Sequence, residues 1–288
     1  MDSILFSKMS GAGNDFIVID INLNPQFQLS EIVIRKLCDR RNGIGADGVI
    51  TIEDSDNYDF IMNYYNADGS FGSLCGNGAR CGIKFASLTD RIQNTETHFI
   101  ANNNKYSGKV LENDSVLFNF NPPQKLKYDF KIKASGQLIN ACYADTGSPH
   151  VVINIFDILK NPKVPNIHFE NLDDVPVMQL GKEIRYSSEF APGGTNVNFI
   201  RVDKEKIFIR TYERGVEDET LACGTGAAAA ALIGFVKSGL KPPVQIIPRS
   251  GVVLLVNFEI ENKKVKNLSL TGPAKIVYTG QIPIIFLS

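Results

Sequence analysis

The sequence predicts a mixed α/β protein made of two similar halves, and three observations lead there. The pattern Cys-Gly-x-Gly-Ala occurs twice, at Cys75-Gly76-Asn77-Gly78-Ala79 and at Cys223-Gly224-Thr225-Gly226-Ala227. The second copy runs on through Ala231 into Leu232-Ile233-Gly234-Phe235-Val236, an Ala-rich apolar run that reads as a buried helix. Strand-like segments precede and follow each copy, so the second half repeats the scheme of the first. A thiol at the first turn of such a helix is chemically significant. The unpaired N–H groups and the positive dipole end favour anions, so they lower a thiol's pKa and can also hold a carboxylate. One cysteine of this kind in each half suggests two halves facing a single site.

In chain order, Leu5 to Met9 reads as a short strand into a tight loop, Ser10-Gly11-Ala12-Gly13-Asn14, followed by a buried strand from Phe16 to Asp20. Ser30 is placed to cap a helix from Glu31 to Asp39 that ends in the turn around Asn42-Gly43-Ile44-Gly45. Strands are expected at Gly48 to Ile52 and at Asp59 to Tyr65. The second of these delivers the loop Asn66-Ala67-Asp68-Gly69-Ser70 just ahead of Leu74-Cys75 and the first helix, which carries Ile83, Phe85, Ala86 and Leu88. From Thr97 to Phe120 apolar and polar residues alternate between Asn-rich turns, the pattern of antiparallel hairpins.

Asn121-Pro122-Pro123 stops that run and marks the first boundary. Beyond it, strands are expected at Lys131 to Lys133, Gln137 to Ala144 and Val151 to Ile155, with a short helix near Asp157 and a Pro-rich loop from Asn161 to Pro165. Strands at Val197 to Val202 and Ile207 to Tyr212 lead to Glu213-Arg214 and the Cys223 helix, and later ones follow at Val252 to Ile260 and Val265 to Leu270. Gly272-Pro273 is the second boundary, after which Ala274 to Tyr278 and Ile282 to Phe286 return to the first half. The expected division is therefore residues 1–121, completed by 272–288, and residues 122–271.

Composition limits the function. The chain has 288 residues, 30 basic and 31 acidic, and no basic block of the kind nucleic-acid binders show, so a small-molecule partner is expected and nucleic acid is not. No apolar run is long enough to span a bilayer, and the stretch from Met1 to Lys8 lacks the basic and apolar regions of a secretion signal, so a cytoplasmic protein with no membrane partner is expected. Five cysteines, Cys38, Cys75, Cys81, Cys142 and Cys223, do not form the framework of a secreted disulfide protein and read as reduced thiols. Cys75 and Cys81 lack the second Cys/His pair of a zinc site, so no metal is expected. Neither Gly-rich turn continues to the Lys-Ser/Thr of a phosphate loop.

Several stretches together resemble diaminopimelate epimerase. They are Lys8-Met9-Ser10-Gly11-Ala12-Gly13-Asn14-Asp15-Phe16, Gly43-Ile44-Gly45-Ala46-Asp47-Gly48, Asn66-Ala67-Asp68-Gly69-Ser70, Cys75-Gly76-Asn77-Gly78-Ala79-Arg80-Cys81, Gly147-Ser148-Pro149-His150, Thr195-Asn196-Val197, Tyr212-Glu213-Arg214-Gly215 and Ala222-Cys223-Gly224-Thr225-Gly226. The resemblance implies an α/β fold of two pseudo-symmetric halves, each a mixed, barrel-like sheet wrapped around a central helix. It also implies an isomerase of lysine and peptidoglycan-precursor biosynthesis that interconverts L,L- and meso-diaminopimelate with no cofactor, and a homodimer.

The chemistry of the residues agrees. Inverting a stereocentre α to a carboxylate means removing a proton from one face and returning one to the other, which a thiolate and a thiol can share. Without a pyridoxal electron sink the enolate-like charge must be held by the protein. The backbone N–H groups of Gly76 and Asn77, and of Gly224 and Thr225, suit an α-carboxylate. By resemblance, Asn14, Asn66 and Asn196 line the substrate pocket, Arg214 pairs with the distal carboxylate, and Glu213 and His150 assist proton transfer at the second thiol. Three departures stand out. Ser148 replaces a common asparagine, Gly215 to Thr220 is one residue longer than usual, and Ser10 stands where histidine is frequent.

Plainer readings exist for each residue. Cys38, Cys81 and Cys142 are buried small hydrophobes. His150 alone would be a structural histidine, Glu213-Arg214 a surface pair of little energetic worth, and Asn66 and Asn196 turn residues. Two rival functions remain open at this point. A proline or hydroxyproline racemase with the same two cysteines would need a pocket for a small ring. A thiol-based redox sensor would use Cys75 and Cys223 as a switch, without α-proton exchange.

Overall fold

The computed structural model describes residues 3–72 and 75–286, so Met1, Asp2 and Leu74, which precedes Cys75, lie outside the described residues. Its chain divides into two units, one running to Asn119 and resuming at Thr271, the other spanning Phe120–Leu270.

The first unit contains β1 (Ser3–Gly11), β2 (Asn14–Asp20), helix α1 (Glu31–Cys38), β3 (Gly48–Glu53), β4 (Phe60–Asn66), helix α2 (Gly76–Leu88), β5 (Thr97–Ala101), β6 (Asn104–Val110) and β7 (Val116–Asn119). The second contains β8 (Lys125–Ala134), β9 (Gln137–Asp145), β10 (Pro149–Asn154), helix α3 (Val177–Arg185), β11 (Asn196–Asp203), β12 (Lys206–Glu213), β13 (Asp218–Thr220), helix α4 (Gly224–Ser238), β14 (Val244–Ile247), β15 (Leu254–Glu261) and β16 (Lys264–Gly272). The last strand, β17 (Lys275–Pro283), pairs antiparallel with β1 and so belongs to the first unit.

The strand orders of the two units match. In the first, β17, β1 and β2 are antiparallel neighbours, β2–β3 and β4–β5 are parallel, and β3–β4, β5–β6 and β6–β7 are antiparallel. In the second, β8, β9 and β10 are antiparallel, β10–β11 and β12–β14 are parallel, and β11–β12 and β14–β15 are antiparallel, with the short β13 added beside β12. Parallel neighbours need a crossover, and each crossover carries a helix: α1 and α2 in the first unit, α3 and α4 in the second. Sheets of this kind bury strands on both faces, which is why Phe16–Asp20 and Asn196–Ile200 are continuous buried runs.

The second crossover helix of each unit is enclosed by its own strands. Helix α2 is buried from Gly76 to Ala86 and packs on β1, β2, β3, β4, β6, β7 and β17. Helix α4 is buried from Gly224 to Gly234 and packs on β9, β10, β11, β12, β14 and β15. The small side chains of Ala227 to Ala231 let those strands approach closely. The first crossover helices cover the outside of the sheet. Ile34 and Leu37 of α1 close a core with Ile4, Ile17, Ile19 and Val49, and Leu180 and Ile184 of α3 close one with Ile132, Ile153, Val197 and Phe199.

Several elements differ from expectation. Ser30 caps α1, accepting the Val33 N–H at 3.3 Å, but the helix stops at Cys38 with Asp39 as its C-cap. The expected loop from Ser10 to Asn14 is a two-residue turn, because β1 and β2 pair up to Gly11 and Asn14 while Ala12 and Gly13 take left-handed φ of 62° and 111°. Strand β8 starts six residues before the expected Lys131, since an irregularity between Lys127 and Phe130 breaks the alternation that would reveal it. Helix α3 and strands β13 and β14 were not expected from sequence. Helix α3 had a legible signal, because buried Val177, Leu180, Gly181 and Ile184 follow helical spacing. Ile284–Phe286 is a 3-10 turn rather than strand. Among the described residues no helix is long and apolar enough to cross a membrane.

Candidate active site

Each unit places its cysteine as the N-cap of the enclosed helix, with extended backbone ahead of the first helical residue. Cys75 has φ −108° and ψ 106°, and Cys223 has φ −123° and ψ 114°. In both, the following glycine opens the helix; the Cys75 side chain accepts a first-turn N–H, whereas that of Cys223 makes no such cap bond.

In the first unit Cys75 is half-buried and its Sγ accepts the Gly78 N–H at 3.3 Å. Asn77 is buried, and its amide donates to Asn14 Oδ1 at 2.6 Å, while Asn14 donates to Asp47 Oδ2 at 3.0 Å. The chain Lys8-Met9-Ser10-Gly11 passes against this first turn. A Cβ on Gly11 would lie 2.8 Å from Asn77 O and 3.1 Å from Cys81 Sγ, so only glycine admits so close an approach. Asp47 belongs to a charged group behind Asn14. Lys8 reaches Asp15 at 2.7 Å and also the Gly45 carbonyl, and Arg40 grips Asp15 at 2.8 Å and Asp47 at 2.6 Å. Burial alone would raise the Asp15 pKa, but hydrogen bonds from Arg40 and Lys8 outweigh it and hold it at about 2. Asn66 stands apart from these bonds. It ends β4 opposite Gly48, and its amide donates to Ser70 Oγ at 3.0 Å across the turn it opens.

In the second unit Cys223 is buried, and its Sγ lies 3.4 Å from Thr225 Oγ1. Thr225 Oγ1 is also 2.8 Å from His150 Nε2, and His150 Nδ1 is 3.1 Å from the Asn198 amide nitrogen. The roles follow from Asn198. Its nitrogen also donates to Val151 O at 2.8 Å and its oxygen accepts from Thr211 Oγ1 at 3.0 Å, so the nitrogen facing His150 is a donor and Nδ1 an acceptor. His150 therefore carries its proton on Nε2 and donates to Thr225, whose own hydroxyl hydrogen is left for Cys223 Sγ. Burial pushes the His150 pKa down to about 3, and the positive charge of Arg214 adds to the effect. The ring is neutral across the physiological range and acts as a hydrogen-bond donor.

Around this chain, Asn196 pairs in register with His150 and is buried. Its amide donates to Ser148 Oγ at 3.0 Å and Pro149 O at 2.8 Å, and its oxygen accepts the Arg214 N–H at 2.8 Å. Ser148 thus fills its position as an acceptor for Asn196. Glu213 accepts from Thr220 Oγ1 at 2.7 Å. The long turn from Gly215 is organised by Glu217, which accepts from Gly215 N at 3.1 Å and pairs with Arg185 at 2.9 Å before β13 returns along β12. The Arg214 guanidinium has one long hydrogen bond, 3.4 Å to Gly193 O, and no ion pair among the described residues. A half-buried arginine left so lightly engaged is suited to an external anion.

The structure therefore joins Asn14, Gly76 and Asn77 to the start of α2, and His150, Asn196, Arg214, Gly224 and Thr225 to the start of α4. Sequence reading missed Arg80, Asp47 and Asn198. Asn198 had a signal, being an amide inside the apolar run Val197–Ile200, where burial demands partners.

An α/β fold with a cysteine at the head of each enclosed helix defines a class. The fold is shared with a hydroxyproline epimerase from Agrobacterium vitis, at TM-score 0.68 and 14% identity over 97% of this chain and 92% of that one. It is also shared with a phenazine biosynthesis protein of the PhzF family from Bacillus anthracis, at TM-score 0.69 and 16% identity over 99% and 100%. At such identities the likeness concerns the fold alone. The family model for diaminopimelate epimerase matches residues 6–125 and 142–277. The diaminopimelate epimerase of Chlorobaculum tepidum is 43% identical over 96% of this chain and all of its own length, and that of Aquifex aeolicus 37% identical over 96% and 97%. The chain belongs to the diaminopimelate epimerase family.

Proposed function

We propose that this protein interconverts L,L- and meso-diaminopimelate by two-base proton transfer between Cys75 and Cys223. The observation that carries this reading is the repetition of one device, a cysteine as N-cap of an enclosed helix, at matching places in two matching strand orders. One sulfur as thiolate removes the α-proton and the other, as thiol, returns a proton to the opposite face. The states exchange with each turnover, and proton exchange with solvent between turnovers restores them for the next substrate of the same configuration. The N–H groups of Gly76, Asn77, Gly224 and Thr225 hold the α-carboxylate as charge develops, each such donor contributing about 2.7–4 kcal/mol at the transition state in a water-excluded site. Asn14, Asn66 and Asn196 bind the polar groups of the substrate, and Arg214 binds the distal carboxylate. His150 acts through Thr225, whose hydroxyl hydrogen stabilises the Cys223 thiolate, and Glu213 assists beside it.

The test offers L,L-diaminopimelate, meso-diaminopimelate and L-proline in heavy water with neither pyridoxal phosphate nor metal added. Deuterium is expected at the α-carbon of both diaminopimelates, with inversion, and chelators leave the rate unchanged. Exchange into proline alone, or into none, overturns the reading. Assembly as a homodimer is part of the same proposal and is checked by the mass in solution.

A further inference from the structure

Arg80, on the second turn of α2, is fully buried, yet it pairs with no carboxylate among the described residues. Its Nη1 donates to Gly76 O at 3.1 Å and its Nη2 to Asn77 Oδ1 at 2.9 Å, and its Nε finds no acceptor. A buried cation without a counter-charge is strongly disfavoured, and hydrogen bonds to neutral carbonyls offset only part of that.

Several charged groups on the elements around α2 are engaged elsewhere. Lys8 of β1 and Asp15 of β2 pair with each other, Asp20 pairs with Arg91, and Lys84 of the helix itself pairs with Asp114. Burial lowers the Arg80 pKa to about 10, still far above neutrality, and the titratable groups near enough to act on it are Cys81 and Cys75. Cys81 is fully buried, and desolvation raises its pKa to about 12 in spite of Arg80, so it stays a thiol. That leaves Cys75, which is half-buried and already accepts a backbone N–H. The amides add direction. Arg80 donates to Asn77, Asn77 to Asn14 and Asn14 to Asp47, a series polarised from cation to distant anion that holds the guanidinium against the first turn. The second unit has no counterpart at that place in its helix, since Ala228 stands five residues after Cys223 where Arg80 stands five after Cys75.

We propose that Arg80 is a positioning residue whose buried charge keeps Cys75 as the thiolate of the substrate-free protein, so that Cys75 enters the cycle as base and Cys223 as acid. The catalytic half of this statement rests on the two-thiol reading above. The ionisation half does not, and is measured without turnover.

The experiment follows alkylation of each thiol by iodoacetamide against pH, with peptide mapping to separate Cys75, Cys81 and Cys223. In the wild type the midpoint for Cys75 is expected below that for Cys223. In Arg80→Met, an apolar replacement of similar length, the Cys75 midpoint rises by about one pH unit or more while that of Cys223 stays, and Arg80→Lys restores most of the shift. A wild-type Cys75 midpoint at or above that of Cys223 overturns the proposal even where Arg80→Met does not fold. So does a folded Arg80→Met with an unmoved Cys75 midpoint, or one in which both thiols shift together. If ionisation behaves as stated and no diaminopimelate exchanges, the proposed function falls and the assignment of Arg80 stands.

Discussion

Helices α2 and α4 occupy the same place in the same strand order and begin at the same motif, yet their surroundings differ in kind. The sulfur of Cys75 meets a backbone N–H and shares its helix with a buried guanidinium. The sulfur of Cys223 meets a hydroxyl backed by a neutral histidine and two further side chains, Asn198 and Thr211. Topology places a thiol at a helix start in both units, while the side chains packed around that start differ. A repeated scaffold thus carries two environments, one with a buried cation on the helix itself and one built from a hydroxyl, a histidine and an amide, with the charge of Arg214 acting on that histidine.

The hardest test of that comparison is Cys75→Ser against Cys223→Ser. A hydroxyl is far too weak an acid to replace either sulfur, so each variant should lose at least about a thousandfold in epimerisation. The remaining thiol can still remove and return a proton on its own face. Each variant should therefore keep solvent exchange without inversion for one stereoisomer, a different one in each case. If both exchange the same isomer, the thiols do not serve opposite faces.

Arg214 follows Glu213 at the end of β12, whereas Ala67 follows Asn66 at the end of β4, so only the second unit offers a cation there. Arg214→Lys should cost about a hundredfold in kcat/KM, because an ammonium cannot make the two parallel bonds of a guanidinium to a carboxylate. Wild-type kinetics in this variant would remove Arg214 as the distal anchor.

The second glycine of each motif sharpens the contrast. A Cβ on Gly226 would lie 2.5 Å from Asn198 Oδ1 and 3.3 Å from His150 Cε1, and Asn198 is held by its own hydrogen bonds and cannot withdraw. On Gly78 it would lie 3.3 Å from Ile50 Cδ1 and 3.5 Å from the Cys75 side chain. Gly226→Ala should destabilise by about 1–3 kcal/mol through overpacking, while Gly78→Ala should be near neutral, its tight contact offset by helix propensity. Equal losses in denaturant unfolding would show that the two helix starts are packed alike.

The last contrast concerns acid. Because His150 is depressed to about 3, the unfolded chain takes up a proton below about pH 6.5 that the folded one refuses. The stability it contributes is present above that pH and is lost as pH falls toward 3, at about 1.4 kcal/mol per pH unit. Asp15 is depressed to about 2, so its contribution is lost only between about pH 4 and 2. Hydrogen exchange on mild acidification should therefore loosen β10 and β11 before β1 and β2, and His150→Gln should flatten the loss between pH 6 and 4. Simultaneous loosening, unchanged in the variant, would contradict this.

Much of the architecture was legible in the chain. The duplicated Cys-Gly-x-Gly-Ala motif, the apolar runs from Phe16 and Val197, and the Ser30 cap specify their elements locally, since cap, period and propensity act over a few residues. Strand β8 was only half visible, because a bulge moves the side-chain alternation out of step. The partners of polar residues were not legible at all. Asn77 meets Asn14 across 63 positions and His150 meets Thr225 across 75, and no local rule encodes such pairings. Arg80 shows the limit most plainly. In sequence it is one letter in a Gly-rich motif on a helix, where arginine ordinarily reaches water. The strands that close around α2 remove that water, and burial turns an ordinary side chain into a charge that must find an anion.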